Sequence, residues 1–424
     1  MRNSLVIVAA IVLFAAMSDF AVADTDITIT GQVRARAEVS DRSFDTTHKA
    51  QQYTDLRTRV MVNAAIDDNT HAVVQFQDSR RFGDRGYSGT LDDAENVDVH
   101  QAYLNVAQLW NNGLGLKAGR FEVILGNQRV FGSVGWSNVG RSWDGIQTWL
   151  DRESVRFDAF WLKRVERNTA NGNSDFDIGG AQLAVKSANL DIFGFFEHDA
   201  HLNSYFALIS NHKALRRFSL GMYYHRVHRQ LDFELNAVYQ GGKMQVWTNP
   251  DDQPLITVSD EADIAAYMFT FETGYTFDRP CKPRVALGID YTSGDDDPSD
   301  LDHKAYNNLY YTGHKFRGYM DYFIGSDPEG LMDLVVRFKA NPTRGWTAKL
   351  DFHYFQTTAD YINPIDSATT KDVGLEFDLG LTTSRVAGVK LAAGASLFLP
   401  SEAYVGMKDP DPTLWSYFQA TADF

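Results

Sequence analysis

Apolar and polar residues alternate with a period of two from one end of this chain to the other, and no apolar run outside the first residues is long enough for a spanning helix. In Ile27 to Val39, one face carries Ile27, Ile29, Gly31, Val33, Ala35, Ala37 and Val39, and the other Thr28, Thr30, Gln32, Arg34, Arg36 and Glu38. In Leu56 to Ile66, Thr58, Val60, Val62 and Ala64 oppose Arg57, Arg59, Met61 and Asn63. The pattern returns in Asp232 to Gln240 and in Arg284 to Thr292. It returns again in Asp372 to Leu379, where Val373, Leu375, Phe377 and Leu379 oppose Asp372, Glu376 and Asp378. Such segments run about ten residues, the length with which a tilted strand crosses a bilayer. A soluble β-sandwich also alternates, but its strands usually stop at about five or six residues. The pattern predicts an all-β chain: a single transmembrane antiparallel β-barrel of about 18 strands, with 16 or 20 as alternatives.

The C-terminus supports the barrel. Phe418, Ala420, Ala422 and Phe424 share one face of a last strand, and a terminal Phe there resembles the signal by which bacterial outer-membrane barrels meet their assembly machinery. Connector lengths set the orientation, because short turns belong in the periplasm and long loops outside. Asp67 to Asn69, Asp151 to Glu153, Ala188-Asn189, Asn341 to Gly345 and Thr383 to Arg385 read as short turns. Arg42 to Thr54, Ser79 to Asn96, Glu122 to Ser142, Gly241 to Asp263 and Gly294 to Gly330 read as long loops. Between Leu190 and Val227 three strand-like runs appear where parity demands two or four; two gives about 18 strands and four about 20. Parity also places the strand-like Phe316 to Ile324 inside the last long loop.

The first residues read as a secretory leader, residues 1–23, ahead of a barrel over residues 24–424. Arg2 supplies the positive start, Leu5 to Met17 the apolar run, and Ala21-Val22-Ala23 the cleavage site. Asp19 interrupts the run, which is too short for a membrane anchor. The mean hydropathy of -0.31 looks soluble, but a barrel hides its lipid face in alternate residues. The single cysteine, Cys281, cannot form an internal disulfide. A formal charge of -15 argues against a nucleic-acid partner. The acids gather in the expected loops, at Asp92-Asp93-Ala94-Glu95, Asp251-Asp252, Asp260 to Asp263 and Asp295 to Asp297. They read as solvated loops or as sites bridging lipopolysaccharide through divalent cations, and no EF-hand loop motif occurs among them.

Arginines carry the functional reading. Arg34 and Arg36 share the polar face of the first strand, and Arg57 and Arg59 that of the second. In a wide barrel these faces point into the lumen, and guanidinium groups bind carboxylates as planar forks. The stripe implies a conduit for an anionic solute, or a lumen network of salt bridges. Gly119 to Gly145 adds Arg120, Arg129 and Arg141 in a glycine-rich loop suited to folding into the pore. Arg129 and Arg141 are expected to line a constriction with Asp144 as counter-ion. Trp136 is expected to pack the loop against the wall.

That loop resembles the alginate-export family of outer-membrane porins, whose pattern is G-R-x-E…G-x-x-R-x-x-G…W-x-N…R-x-[FW]-D-G. Here the matches are Gly119, Arg120 and Glu122, then Gly126, Arg129 and Gly132, then Trp136 and Asn138, then Arg141, Trp143, Asp144 and Gly145. Gln101 to Leu104, Tyr291 to Asp295, Thr312 to Lys315 and Gly318 to Asp321 look like the same family. The resemblance implies an 18-stranded porin of a Gram-negative-type outer membrane with an arginine-rich, anion-selective lumen. Its solutes would be small anions or acidic oligo- or polysaccharides such as alginate, its surroundings outer-membrane lipid and lipopolysaccharide. Pore-lining or substrate-binding roles fall on Arg34, Arg36, Arg57, Arg59, Arg120, Arg129, Trp136, Asn138, Arg141 and Asp144. Neither a cofactor nor a metal is implied.

Two other classes compete. A hydrolase would need a nucleophile, base and orienter in reach. His353 shares a strand face with Lys349 and Asp351, but no G-x-S-x-G or H-E-x-x-H occurs, and His198/His201 and His225/His228 have weak metal spacing. A closed barrel acting as an adhesin is the third reading, and steady single-channel current separates the porin from both.

Overall fold

The computed structural model describes residues 25–424 apart from 45, 46, 48, 84–96, 111, 167, 170–171, 174, 201–214, 249–257 and 298–299. The expected leader, the acids at 92–95 and 251–252, and His201 lie outside the described residues.

Eighteen long antiparallel strands form one closed barrel. The first six are β1 (Asp26–Asp41), β2 (Gln51–Ala65), β3 (Thr70–Arg81), β4 (Asp98–Leu109), β5 (Leu114–Phe121) and β6 (Trp143–Asp151). β7 (Val155–Val165), β8 (Phe176–Val185), β9 (Leu190–Asp199), β10 (Leu215–His228), β11 (Leu231–Thr248) and β12 (Val258–Thr276) follow. The wall ends with β13 (Arg284–Thr292), β14 (Leu331–Ala340), β15 (Trp346–Ile362), β16 (Thr369–Val386), β17 (Val389–Pro400) and β18 (Thr413–Asp423). β18 pairs with β1, so no wall strand is left with an open edge. Two strands, β9 and β10, occupy the described part of the region where parity left two or four. Phe316 to Ile324 is loop, as parity required.

Lipid dictates the outer face. Ile27, Ile29 and Val33 of β1 are exposed, while Arg34, Arg36 and Glu38 are buried inside. Two local expectations fail. The strand β16 continues through Thr383 to Arg385 as far as Val386, and the turn to β17 lies at Ala387-Gly388. Val373 does not join the outer face but is buried in the lumen. A bulge causes this: Phe355 pairs with Gly374 and Gln356 with Asp372, so Val373 is an extra residue and the alternation slips by one.

Two long loops fold into the barrel. The first, residues 122–142, joins β5 to β6; the second, residues 293–330, joins β13 to β14. They meet as a short parallel bridge, Phe131 beside Tyr310, through Gly132 N to Tyr310 O (2.9 Å) and Tyr310 N to Val130 O (3.0 Å). Gly132 permits the approach, because a Cβ there would strike the Thr312 hydroxyl. The inward face of the nearby wall is apolar where polar residues were expected. Phe160, Leu162, Ile178 and Phe195 pack on Phe131 and Tyr310. Across the lumen, Met320 and Phe323 pack on Phe355, Phe398 and Trp415.

The seam between first and last strands is closed by Phe424. Its amide and carbonyl exchange hydrogen bonds with Gly31 (2.9 and 2.6 Å), and its ring lies over Gly31, where a Cβ would collide with it. Deleting Phe424 is expected to lower the fraction of heat-modifiable, folded barrel in lipid vesicles. An unchanged fraction would show that the seam closes without it.

Candidate functional site: the lumen and its two loops

The arginine stripe grips the first loop by its backbone. Arg34 and Arg57 stand directly opposite each other across β1 and β2, an arrangement that repels unless acceptors lie between them. The loop supplies those acceptors. The Gly135 carbonyl accepts from Arg34 (2.9 Å) and Arg57 (3.2 Å), and the Ser137 carbonyl accepts from the same two (3.0 Å each). Arg36 donates to the Trp136 carbonyl (2.7 Å) and pairs with Glu38 (2.6 Å). Arg59 donates to the Val139 carbonyl (3.1 Å) and to Gln77 (2.6 Å), with Glu122 at 3.5 Å. Asn138 pegs the same segment: its amide accepts from Arg34 and donates to the Leu56 carbonyl, and its own carbonyl accepts from Ser79.

Trp136 packs. Its ring stacks on His314 at 4.0 Å, lies under the Arg36 guanidinium at 4.1 Å, and meets Trp415 and Tyr417 edge-on. His314 comes from the second loop, so this stack also joins the loops.

Carboxylates hold the second loop by its amides. Tyr319 N donates to Asp378 (3.1 Å) and Met320 N to Glu376 (2.8 Å), both wall residues of β16. On β13, Asp290 serves both loops, pairing with Arg129 of the first and Arg317 of the second (3.1 Å). Burial works against charge on Arg317, yet Asp290 outweighs it and raises its pKa. The wall thus meets carbonyls with guanidiniums and amides with carboxylates.

Arg120 and Asp144 depart from expectation. Phe121 and Trp143 point into the lumen core, so alternation turns Arg120 and Asp144 outward, where they form a two-pronged pair (2.7 and 2.6 Å) at the rim of the outer cavity. Asp144 is therefore not the counter-ion of Arg129 or Arg141. Arg129 has Asp290, and Arg141 donates to the Tyr310 carbonyl. Burial lowers the pKa of Arg141.

Cavities lie on both sides of the loops. On the side of the long loops, a cavity of about 760 Å³ is bordered by Arg141, Arg164, Arg217, Asp199 and Tyr310. A second, of about 380 Å³, shares Arg141 and reaches Arg36, Trp136 and His314. Toward the short turns, a cavity of about 250 Å³ is bordered by Arg129, Lys315, Lys339 and Lys349. The sequence pattern points to neither Arg164 nor Lys339; Lys315 enters it only within a family landmark and Lys349 only beside His353. Lys339 and Lys349 face each other across β14 and β15. His353 does not join a catalytic arrangement with Lys349 and Asp351; its ring sits between Asp333 (2.8 Å) and Asp378 (3.7 Å) inside the wall. Among the described residues no group of three or more His, Cys, Asp or Glu is placed to hold a metal.

The fold matches solved porins at low identity. OpdL of Pseudomonas aeruginosa aligns with a TM-score of 0.59 at 11% identity, over 94% of this chain and 99% of that one. The outer membrane protein OprD of Pseudomonas aeruginosa aligns with a TM-score of 0.58 at 11% identity, over 94% and 93%. A BenF-like porin from Pseudomonas fluorescens Pf-5 aligns with a TM-score of 0.56 at 10% identity, over 94% and 98%. No curated protein sequence matches the chain. The family model described as alginate export matches residues 25–411, and with the closed barrel and its two in-folded loops this places the chain in the alginate-export family of outer-membrane β-barrels.

Proposed function

We propose that this outer-membrane channel passes anionic solutes, with acidic oligo- or polysaccharides such as alginate as the favoured class. The observation that carries the reading is a set of lumen cations without carboxylate partners on both sides of the loops. Among the described residues Arg141 and Arg164 make no ion pair; both converge on Tyr310, one at its carbonyl and one at its ring and hydroxyl (3.4 Å). On the other side, among the described residues, Lys315, Lys339 and Lys349 have no carboxylate within ion-pair distance, although Glu234, Glu272, Asp290, Asp333 and Asp351 also border that cavity, Asp290 and Asp351 paired with Arg129 and Arg337. A narrow, partly dehydrated passage strengthens attraction to an anion, while the exposed outer acids are screened beyond about 8 Å at physiological salt. The loops bridged across the lumen favour one rival, a non-conducting barrel that acts as an adhesin.

Reversal potentials across planar bilayers in a salt gradient decide between them. The channel reading expects steady current, anion preference, and block by added uronate oligomers. Absence of current supports the adhesin. Arg141→Ala with Arg164→Ala is expected to lower anion-over-cation permeability about threefold or more with the barrel still folded. Unchanged selectivity in that variant would leave these arginines a purely structural role.

Asp327 is expected to make the second loop sensitive to pH. Burial pushes its carboxyl up from 3.8 to about 6, against the pull of Arg317. The docked loop holds this proton more tightly than a released one, so docking is strongest below about pH 4 and weakens as pH rises through about 6. Current fluctuations are expected to increase across that window, and the increase should vanish in Asp327→Asn. Fluctuations of the same size in that variant would remove Asp327 from the account.

A further inference from the structure

The outer face carries a row of charge whose first members, Arg120, Asp144 and Lys163, also border the outer cavity, while the others are not among its lining residues. In one continuous hydrogen-bond register, eight consecutive strands, β5 to β12, each place one charged or titratable residue outward. Arg120, Asp144, Lys163 and Asp177 follow one another with alternating sign. The next three positions are His198, Arg216 and Lys243, with no acid between them in the row, and Asp263 on β12 ends it.

The row marks the edge of the lipid-facing surface. One outward step down each strand lie Ala118, Ile146, Trp161 and Gly179, then Phe196, Phe218, Gly241 and Ala265. Trp161, Phe196 and Phe218 are 47%, 44% and 42% exposed. The ring of Phe196 covers Gly179 and that of Phe218 covers Gly241, which makes a flush aromatic band. An aromatic band capped by charge is what a barrel presents where acyl chains give way to headgroups. The row lies toward the long loops, and therefore on the outer leaflet.

We propose that the basic centre of this row, His198, Arg216 and Lys243, docks a phosphorylated glycolipid headgroup of the outer leaflet. Arg216 stands directly opposite Lys243, and two cations so placed repel unless an anion bridges them. Within the protein Glu261 does so, reaching Arg216 at 2.6 Å and Lys243 at 2.7 Å from one step above the row, and Asp263 lies 3.4 Å from Lys243. That bridge shows the geometry an anionic oxygen pair takes here. Both side chains remain open, 66% and 49% exposed, and His198 is exposed beside them. A phosphate arriving from the headgroup layer meets three donors along one row, above aromatic rings that seat the acyl chains.

Native mass spectrometry of the whole barrel, offered lipid A, enzymatically dephosphorylated lipid A or phosphatidylglycerol at equal concentration, tests the proposal. Wild type is expected to retain phosphorylated lipid A about tenfold better than the dephosphorylated form and better than phosphatidylglycerol. Arg216→Gln with Lys243→Gln is expected to abolish that preference, with folding checked by heat-modifiable migration. If the variant does not fold, His198→Gln with Lys243→Gln serves in its place. Equal retention of both lipid A forms by wild type overturns the proposal, as does a preference unchanged in a folded variant. A preference for phosphatidylglycerol over lipid A overturns the assignment to a glycolipid. Channel selectivity does not enter the readout, so this result stands apart from the transport reading.

Discussion

Everything inside this barrel depends on one interaction: charged groups of the wall bonded to the polypeptide backbone of the two loops. A wide barrel cannot fill itself with its own inward side chains, and a loop folded into it carries amides and carbonyls that must be satisfied away from bulk water. Arg34 and Arg57 answer the carbonyls of Gly135 and Ser137, and Glu376 and Asp378 answer the amides of Met320 and Tyr319. Hydrogen bonds to charged groups contribute about 1.5–3 kcal/mol each, more than neutral ones. The grip also resolves the repulsion between neighbouring arginines, since each shared carbonyl lies between two guanidiniums. The stripe thus serves first as scaffold. Among the described residues, other lumen cations are without an ion pair: Arg141 and Arg164 on one side of the loops, Lys315, Lys339 and Lys349 on the other.

The same constraint explains the division of the wall. Where the loops press on it, inward residues are large and apolar, as at Phe160, Leu162 and Ile178. Where loop backbone must be met, they are charged. Where lipid lies outside, apolar residues face outward until the charged row of β5 to β12. One period-two pattern therefore carries three kinds of surface.

Much of this was legible in the chain. Ile27 to Val39 announces a lipid face and a lumen face, connector lengths give the orientation, and the glycine-arginine loop identifies a family whose model spans residues 25–411. What stayed hidden has physical reasons. Alternation counts residues and cannot see a bulge, so the pattern alone puts Val373 on the lipid face. Motif membership does not tell inward from outward, so it groups Arg120 and Asp144 with the pore although they alternate with the inward Phe121 and Trp143. The partners of Arg129, Arg141 and Trp136 sit some 160 residues or more away, at Asp290, Tyr310 and His314. No local pattern encodes such pairings. Lys339 is a single cation in an ordinary strand, Lys349 reads from the sequence only as a neighbour of His353, and Arg164 sits at a bulge that alternation cannot see.

The most direct test of this account is backbone amide exchange, measured by mass spectrometry on the barrel in nanodiscs, for the segment from Ser133 to Arg141. Replacing Arg34 and Arg57 with Gln removes the grip on Gly135 and Ser137 while leaving the strand ladder intact. The account predicts at least about a tenfold faster exchange in that segment, with peptides of β1 and β2 as protected as before. Protection of the loop unchanged in the double variant would contradict it, and would mean that apolar packing around Phe131 holds the loop without the arginines.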